Sequence, residues 1–372
     1  MKIAVDCRMI RHSGIGVVLG ELLPRLIQSD HEFHLIGGEP LPAEYATERS
    51  SLHPFDAPIY SIREQVRYPV RLLETADVLL FPHYNVPLRR PAPMVVIIHD
   101  LAPLALPLLF KGPAKRLYAN FFFRAVLKTA ERIITVSQFT KQEIVTRLGA
   151  NPDKITVIRN GPGRTYPSDA DLSRGRLRRY GIEGPYVLTV GNLKPHKNIP
   201  RLIEAVRLLN LRRIEPVRLV AAGKVFNQRT DSGVQGGDWS EDAASGGLLM
   251  AGYVPDEDMP ALYHNAALFV MPSMYEGFGL PPLEALRYDT LPLVADAGGL
   301  REVIDIPALR FDPYEIEQMA RRIEFYLNNP GEAQALLNAA KESARRFSWD
   351  RAAQSYLAVL EEVGYRRAEK SS

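Results

Sequence analysis

A glycine-rich turn between a short apolar segment and a proline pair organises this chain. Residues 271–284 read Met-Pro-Ser-Met-Tyr-Glu-Gly-Phe-Gly-Leu-Pro-Pro-Leu-Glu. The apolar segment 267–270 before them predicts a buried strand. Gly277 and Gly279 allow a tight turn that brings the backbone close to a ligand, and the prolines are typical of the first turn of a helix. The stretch therefore predicts a strand, a turn and a helix N-terminus whose amides favour an anion such as phosphate.

Two carboxylates, Glu276 and Glu284, bracket this turn with seven residues between them. A carboxylate repels a phosphate, so we expect both side chains to hold hydroxyl groups, such as those of a sugar and a ribose. The alternative is an ordinary structural role, in which Glu276 caps a turn and Glu284 complements the helix dipole.

The first half of the chain alternates short apolar segments with helical patterns, which predicts a doubly wound parallel sheet. The predicted strands are residues 1–7, 33–37, 78–81, 94–98, 132–136 and 155–158. The predicted helices are residues 17–28, 62–73, 110–130 and 138–148. The proline-rich polar segment 38–60 is expected to be an irregular connection.

The second half restarts the same α/β pattern after a linker at residues 161–181 that is rich in Pro, Gly and polar side chains. Its predicted strands are residues 186–190, 217–222, 248–253, 268–271 and 291–295. We expect two Rossmann-like domains, residues 1–165 and 166–349, that face a cleft, the usual place for a ligand. The last residues, 350–372, carry an amphipathic helical pattern.

Two further sites are predicted at strand ends of the first domain, where open α/β sheets bind ligands. Gly14 and Gly16 lie in a loop after the first strand, although such loops are often only tight turns. His99 and Asp100 end another strand, where a histidine can also be purely structural.

In the second domain, the loop 191–198 gathers Lys194, His196 and Lys197 beside a strand end. We interpret these side chains as a cationic clamp on a diphosphate leaving group. Solvated loop charge is the alternative.

Composition excludes several classes of protein. The net charge of +3 is too small to indicate a nucleic-acid partner. Cys7 is the only cysteine, which excludes an internal disulfide and fits a cytoplasmic protein.

The pairs Asp169/Asp171 and Asp256/Asp258 are interpreted as helix caps rather than metal ligands, so no metal is predicted. A polar, glycine-rich loop is predicted at residues 227–247.

The glutamate pair resembles the Glu-x7-Glu signature of retaining GT-B glycosyltransferases of family 4. The resemblance implies that Glu276 contacts the donor hexose and Glu284 the nucleotide ribose. It also implies that donor sugar and phosphate are held by the backbone of the residues between them: Gly277, Phe278, Gly279 and Leu280.

Other motifs follow the family in the same order. Residues 14–16 resemble its first glycine-rich loop, which contacts the donor, and the segment around His99 resembles its His-Asp-Leu motif, whose histidine approaches the reacting carbon. Lys197 matches the clamp lysine. The chain departs from the pattern at His196, where an arginine is frequent, and at Asn192, where related members carry a second arginine.

Tyr253 and Val254 match a segment whose backbone lies beside the nucleobase in that family, although core packing of Tyr253 is an equal alternative. The family fold also implies that the C-terminal helix, at residues 350–372, crosses back to the first domain.

The resemblance implies transfer of a hexose, with retention, from a nucleotide diphosphate sugar to an acceptor hydroxyl without cofactor or metal. The surroundings of His99 and Lys197 look most like mannosyl- or rhamnosyltransferases of surface polysaccharide assembly. GDP-mannose is the first expectation for the donor, and a glycan or polyprenyl-linked acceptor is expected as its partner. The alternatives are a nucleotide-sugar epimerase on the same fold and a non-catalytic sugar-nucleotide binding protein.

One helix face suggests a peripheral contact with the inner face of the cell membrane. Within residues 113–131, Leu117 and Phe121 lie on the same side as Arg124 and Lys128, as in helices that dock to anionic lipid. An ordinary solvated helix is the alternative.

Overall fold

The computed structural model describes residues 1–38, 45–89, 92–107, 109, 113–167, 170–192, 194–223 and 247–371. The chain forms two compact units. The first comprises Met1–Ala105, Gly112–Gly161 and Phe347–Ser372, and the second comprises Leu106–Lys111 and Pro162–Arg346. Asp169 and nearly all of the predicted polar loop at 227–247 lie outside the described residues.

The first unit is built on a parallel sheet whose apolar strands are buried, as helices on both faces require. Its described strands are β1 (Lys2–Asp6), β2 (Glu32–Gly37), β3 (Ser50–Pro54), β4 (Val78–Phe81), β5 (Met94–Ile98), β6 (Arg132–Thr135) and β7 (Ile155–Val157). They lie in the order β3-β2-β1-β4-β5-β6-β7. The helices are α1 (Ser13–Leu26), α2 (Ile62–Arg67), α3 (Val70–Thr75), α4 (Ala102–Ala105), α5 (Pro113–Thr129) and α6 (Gln138–Leu148).

The second unit repeats this architecture with a second parallel sheet. Its described strands are β8 (Tyr186–Val190), β9 (Arg218–Ala222), β10 (Leu248–Gly252), β11 (Leu268–Met271), β12 (Pro292–Ala295) and β13 (Arg310–Phe311), in the order β10-β9-β8-β11-β12-β13. The helices are α7 (Ile199–Asn210), α8 (Met259–His264), α9 (Leu280–Arg287), α10 (Leu300–Val303), α11 (Ile316–Asn328) and α12 (Pro330–Ala344). The prediction of two doubly wound α/β domains is confirmed.

The C-terminal helix α13 (Trp349–Ser371) packs against α1, β4 and β5 of the first unit. Its buried stripe includes Tyr356 and Leu360, both fully covered. Asp350 accepts a hydrogen bond from Arg25 at 2.7 Å. The predicted return of this helix to the first domain is therefore confirmed.

Three local predictions were wrong. The segment 38–60 contains β3, which pairs with β2 at the sheet edge; its polar sequence lacks the alternation that marks a half-buried strand. The helix predicted at 62–73 is two short helices, because Pro69 interrupts it. Helix α1 begins at Ser13, so Gly14 and Gly16 lie in its first turns rather than in a loop.

Candidate functional site

Three neighbouring strands of the second unit carry the candidate site at their carboxyl ends. Strands β8, β11 and β12 are adjacent, and β8 and β11 lie where the strand order reverses, the point at which open parallel sheets bind ligands. The Met274 amide donates to the His196 carbonyl at 2.8 Å, and the Gly299 amide donates to the Glu276 carbonyl at 2.8 Å. These bonds join the loops after the three strands into one wall.

Lys197 and Glu276 form an ion pair on this wall. Nζ of Lys197 lies 2.6 Å from Oε1 of Glu276, and the two side chains are 20% and 14% exposed. Asn198 fixes the end of the loop 191–198. Its backbone has φ +61°, and its Nδ2 donates to the carbonyls of Pro272 (3.1 Å) and Pro313 (2.7 Å). The sequence placed both charged residues in the site, and the fold brings them into contact.

The pair is charged at neutral pH. Burial acts to raise the pKa of Glu276, but the Lys197 ammonium, with His196 and Ser273, holds it below its ordinary value. Burial lowers the pKa of His196 to about 4, against the attraction of Glu276. His196 is therefore neutral at pH 7, and Lys197 supplies the positive charge. Lys194 is exposed and has an extended backbone (φ −84°, ψ 155°).

Glu284 sits in a separate buried cluster of the same unit. Its Oε1 accepts from the Arg164 amide at 2.9 Å, and its Oε2 accepts from the hydroxyls of Tyr263 (2.7 Å) and Tyr166 (3.4 Å). Burial raises the pKa of Glu284, although these donors oppose the shift. Gly163 has φ +88°, and a Cβ there would lie 2.2 Å from Cγ of Glu284, so only glycine fits. A carboxylate has about four acceptor positions, so Glu284 can accept one more hydrogen bond than these three.

The turn between the two glutamates has the predicted form. Gly279 is the N-cap of α9 with φ +118°, a backbone region that other residues rarely adopt. Phe278 is buried, at 5% exposure. The backbone from Gly277 to Leu280 therefore runs through the turn into the helix N-terminus, whose partial positive charge favours an anion.

A small pocket at the carboxyl ends of β8 and β11 is lined by residues that include Gly191, Asn192, Lys197 and Ser273. At the end of β10, Tyr253 is 65% exposed, so the alternative of core packing for Tyr253 was wrong. Val254, next in the chain, is buried.

The other predicted residues, His99, Gly14 and Gly16, belong to the first unit. His99 follows β5, and its Nε2 pairs with the Pro82 carbonyl at 3.0 Å. Burial lowers the pKa of His99 to about 4, so its ring is neutral at pH 7. Gly14 and Gly16 lie at the start of α1, where the Gly16 amide donates to the His12 carbonyl.

In the described part of the chain, no three His, Cys, Asp or Glu side chains come together as a metal site requires. Asp258 does not cap α8 with its side chain; it is buried and binds Arg176 at 2.8 Å as well as Tyr180. The predicted capping role of Asp258 was therefore wrong, because the carboxylate instead ties the preceding 3-10 helix (Arg174–Tyr180) to α8.

Several site residues were missed by sequence reasoning. Asn198 lies at the end of the predicted loop 191–198, but its two hydrogen bonds to carbonyls, which anchor that loop, were not predicted. Tyr166, Tyr263 and the Gly163–Arg164 backbone hold Glu284 from positions far away in the sequence, and no local pattern marks such partners.

Two known families match separate parts of the chain, and these parts correspond to the two compact units. The family described as "Glycosyltransferase Family 4" matches residues 12–162, and "Glycosyl transferases group 1" matches residues 179–344. Both descriptions concern sugar transfer. The region matched at residues 179–344 includes the Lys197–Glu276 pair and Glu284.

Two relatives from Escherichia coli are similar in sequence. The serotype-specific mannosyltransferase WbdA is 28% identical over 326 residues, which cover 85% of this chain but only 38% of WbdA. O-antigen chain mannosyltransferase B is 29% identical over 264 residues, which cover 69% of this chain and 67% of that protein. The chain thus matches well under half the length of WbdA.

A solved structure, Anabaena HepE in complex with UDP-glucose, has a TM-score of 0.73 at 17% identity and covers 97% of this chain and 100% of HepE. Similarity at this identity shows the fold alone, which is that of GT-B proteins. None of the helices in the described ranges combines the length and the hydrophobicity that a membrane span requires.

Proposed function

Since the chain belongs to the family 4 glycosyltransferases, we propose that it transfers a hexose from a nucleotide diphosphate sugar to an acceptor hydroxyl, with retention of configuration. The observation that carries this proposal is the Lys197–Glu276 ion pair at the switch point of the second sheet, 2.6 Å apart and partly accessible. A fixed cation beside a departing diphosphate stabilises charge that grows in the transition state.

The transfer exchanges one bond at the anomeric carbon for another. The bond between the anomeric carbon and the diphosphate oxygen breaks, and the acceptor oxygen forms the new bond to that carbon. The acceptor proton passes to the leaving phosphate, which becomes the released nucleotide diphosphate. Lys197 and the amides at the start of α9 stabilise the developing negative charge.

Each predicted residue has a role in this proposal. Glu276 holds hydroxyls of the donor sugar, and its ionised state, maintained by Lys197, makes it a strong acceptor. Glu284 accepts from the ribose with its remaining acceptor position. Tyr253 and Val254 lie beside the nucleobase, and the exposure of Tyr253 supports that position. Asn192 donates to the diphosphate. Gly14, Gly16 and His99 contact the donor sugar in this proposal, as the family resemblance implies.

The donor is proposed to be GDP-mannose, supported by similarity to two mannosyltransferases. The same similarity supports a glycan or polyprenyl-linked acceptor in surface polysaccharide assembly. No metal or cofactor is required in this scheme, because Lys197 and the helix amides take the place of a cation on the diphosphate.

Peripheral contact with the inner face of an anionic membrane is also part of the proposal. Leu117 and Phe121 of α5 are 69% and 53% exposed, while the opposite side of the same helix is buried. Arg124 and Lys128 extend the exposed apolar face with positive charge. Apolar side chains flanked by cations are typical of surfaces that bind anionic lipid.

One incubation tests the proposal against its alternatives. Purified protein is mixed with GDP-mannose or UDP-glucose, with and without a mannose-terminated oligosaccharide, in the presence of EDTA. A transferase releases nucleotide diphosphate and extends the acceptor. An epimerase would return an isomerised nucleotide sugar without acceptor, and a binding protein would change neither compound. Either of the last two results refutes the proposed transfer.

A further inference from the structure

An ion pair joins two segments of the second unit that both belong to the proposed nucleotide site. The first segment holds Glu284, because the Arg164 amide donates to Oε1 of this carboxylate at 2.9 Å. The second segment, residues 253–256, follows β10 and carries the exposed Tyr253. The guanidinium of Arg164 binds the carboxylate of Asp256. Arg164 therefore contacts the carboxylate proposed for the ribose with its backbone, and the segment proposed for the nucleobase with its side chain.

The backbone around Arg164 is fixed against Glu284. Gly163, the preceding residue, has φ +88°, and a Cβ there would lie 2.2 Å from Cγ of Glu284. Tyr166, two residues further along, is buried, and its hydroxyl lies 3.4 Å from Oε2 of the same carboxylate. The Arg164 side chain thus starts from a position that is determined by Glu284, and it reaches Asp256 from there.

The far end of the segment after β10 has a separate anchor. Asp258 is fully buried and binds Arg176 at 2.8 Å, as well as Arg179 and the Tyr180 hydroxyl. These contacts hold the start of α8. The Arg164–Asp256 pair acts nearer to Tyr253 and ties that end of the segment to the residues that hold Glu284.

The ion pair contributes little to folding. The side chains of Arg164 and Asp256 are 35% and 51% exposed, and pairs exposed to this degree add little stability because water screens them. Burial acts to lower the pKa of Arg164, but Asp256, Tyr166 and Glu284 hold it above its ordinary value. The guanidinium is therefore charged and attracted by both carboxylates. Its place between two parts of one ligand site is a stronger reason for its presence than stability.

We propose that Arg164 is a positioning residue for the nucleotide, which sets the separation between the carboxylate that holds the ribose and the segment beside the nucleobase. The inference rests on the proposed transfer and deepens it. Ribose and base are joined by a single bond, so a nucleotide can use both sites at once only when they are held at the matching separation. A site that is already ordered loses less conformational entropy when the ligand binds. Pyrophosphate has neither ribose nor base, so its binding should not depend on Arg164.

The experiment measures binding of GDP, UDP and inorganic pyrophosphate by calorimetry, without turnover. Arg164→Met removes the guanidinium but keeps the backbone amide that Glu284 accepts, and Asp256→Asn removes the opposite charge. We expect each variant to weaken binding of the nucleotide that the wild type prefers by about fivefold, the upper range for an exposed ion pair. Pyrophosphate binding should stay within twofold.

Arg212→Met is the matched control. It breaks an ion pair with Glu317 in the same unit, between the end of α7 and the start of α11, whose side chains are 43% and 39% exposed. Since this pair is as exposed as that of Arg164 but joins no segments of the proposed site, nucleotide binding should stay within twofold. An equal loss in Arg212→Met overturns the inference.

Two double variants separate positioning from direct contact with the ligand. Arg164→Met combined with Asp256→Asn should bind the nucleotide no more weakly than either single variant, because both remove the same interaction. Arg164→Asp combined with Asp256→Arg re-forms the pair with exchanged charges and should restore binding to within twofold of the wild type. A group that touches the nucleotide itself would not be restored by this exchange, so failure of the restoration overturns the positioning role.

The outcomes for the inference and for the proposed reaction are distinguishable. Hexose transfer by the wild type, with unchanged nucleotide affinity in Arg164→Met and Asp256→Asn or an equal loss of pyrophosphate affinity, refutes the role of Arg164 and leaves the transferase intact. Nucleotide affinity that depends on the ion pair, in a protein that transfers no hexose, refutes the transferase and leaves the positioning role. Absence of nucleotide binding by the wild type refutes both.

Discussion

The carboxyl edges of the two sheets are built on the same parallel architecture but differ in charge. In the second unit, Lys197 and Glu276 form an ionised, partly accessible pair. In the first unit, His83 and His99 are neutral, and the charge of Arg8 is buried against carboxylates. The two edges therefore differ in charge: the second has an ionised, partly accessible pair, and the first has neutral histidines beside a buried guanidinium.

Removal of the Lys197 charge should have the largest effect. Lys197→Ala is expected to lower turnover at saturating donor by about 10²–10³, because one fixed charge on the leaving group is lost. Lys194→Ala is the matched control and should cost far less, since Lys194 is exposed on an extended segment. A larger loss of turnover in Lys194→Ala than in Lys197→Ala would show that Lys197 does not supply the stabilising charge. A change only in the Michaelis constant of Lys197→Ala would show the same.

The neutral histidines should make the protein sensitive to acid. The pKa of His99 is lowered from 6.5 to about 4, so below pH 6.5 the unfolded chain binds a proton that the folded chain does not. Stability is therefore lost as the pH falls from 6.5 towards 4, and His99 alone contributes about 2–3 kcal/mol of this loss at pH 4.5.

Urea unfolding at pH 7 and pH 4.5 checks this expectation. The variant His99→Gln cannot titrate and should lose less stability than the wild type between the two pH values. Equal losses would mean that His99 is protonated in the folded protein, and the first sheet edge would then carry more charge than we infer.

The variant Glu284→Gln tests whether the carboxyl edge of the second sheet also binds the nucleotide. Glu284→Gln preserves the shape but removes charge-assisted hydrogen bonds, so nucleotide affinity should fall by about 1–3 kcal/mol. Free GDP should lose as much affinity as the full donor, measured by calorimetry. Tyr263→Phe keeps the carboxylate and is the matched control. Unchanged affinity in Glu284→Gln would reject the ribose role.

The smallest expected effect concerns the membrane. The double variant Leu117→Ser, Phe121→Ser should reduce co-sedimentation with anionic vesicles several-fold, because the apolar contact is lost. Ile214→Ser removes a more exposed apolar side chain in the second unit and serves as the control. Vesicle binding that is independent of both the salt concentration and the content of anionic lipid would contradict docking through this basic face.

Local patterns in the sequence determined most of the fold. Apolar runs marked the central strands, because strands buried on both faces are continuously hydrophobic. The order Glu276, two glycines, two prolines and Glu284 determined the turn and the start of α9, since those residues have strong conformational preferences. The resemblance of both motifs to one family, rather than local chemistry, predicted that Lys197 and Glu276 belong to one site. The polar edge strand β3 and the start of α1 at Ser13 have no such local signature and were missed.

Only the tertiary structure decided which distant residues meet. The partners of Glu284, namely the Arg164 amide, Tyr166 and Tyr263, come from separate segments. Likewise, Arg8 meets Glu64 only because α2 packs beside the end of β1. Hydrogen bonds and ion pairs of buried groups depend on the arrangement of whole elements, and burial then sets their pKa values. The residue types were therefore readable in the sequence, whereas their charge states and contacts were set by the fold.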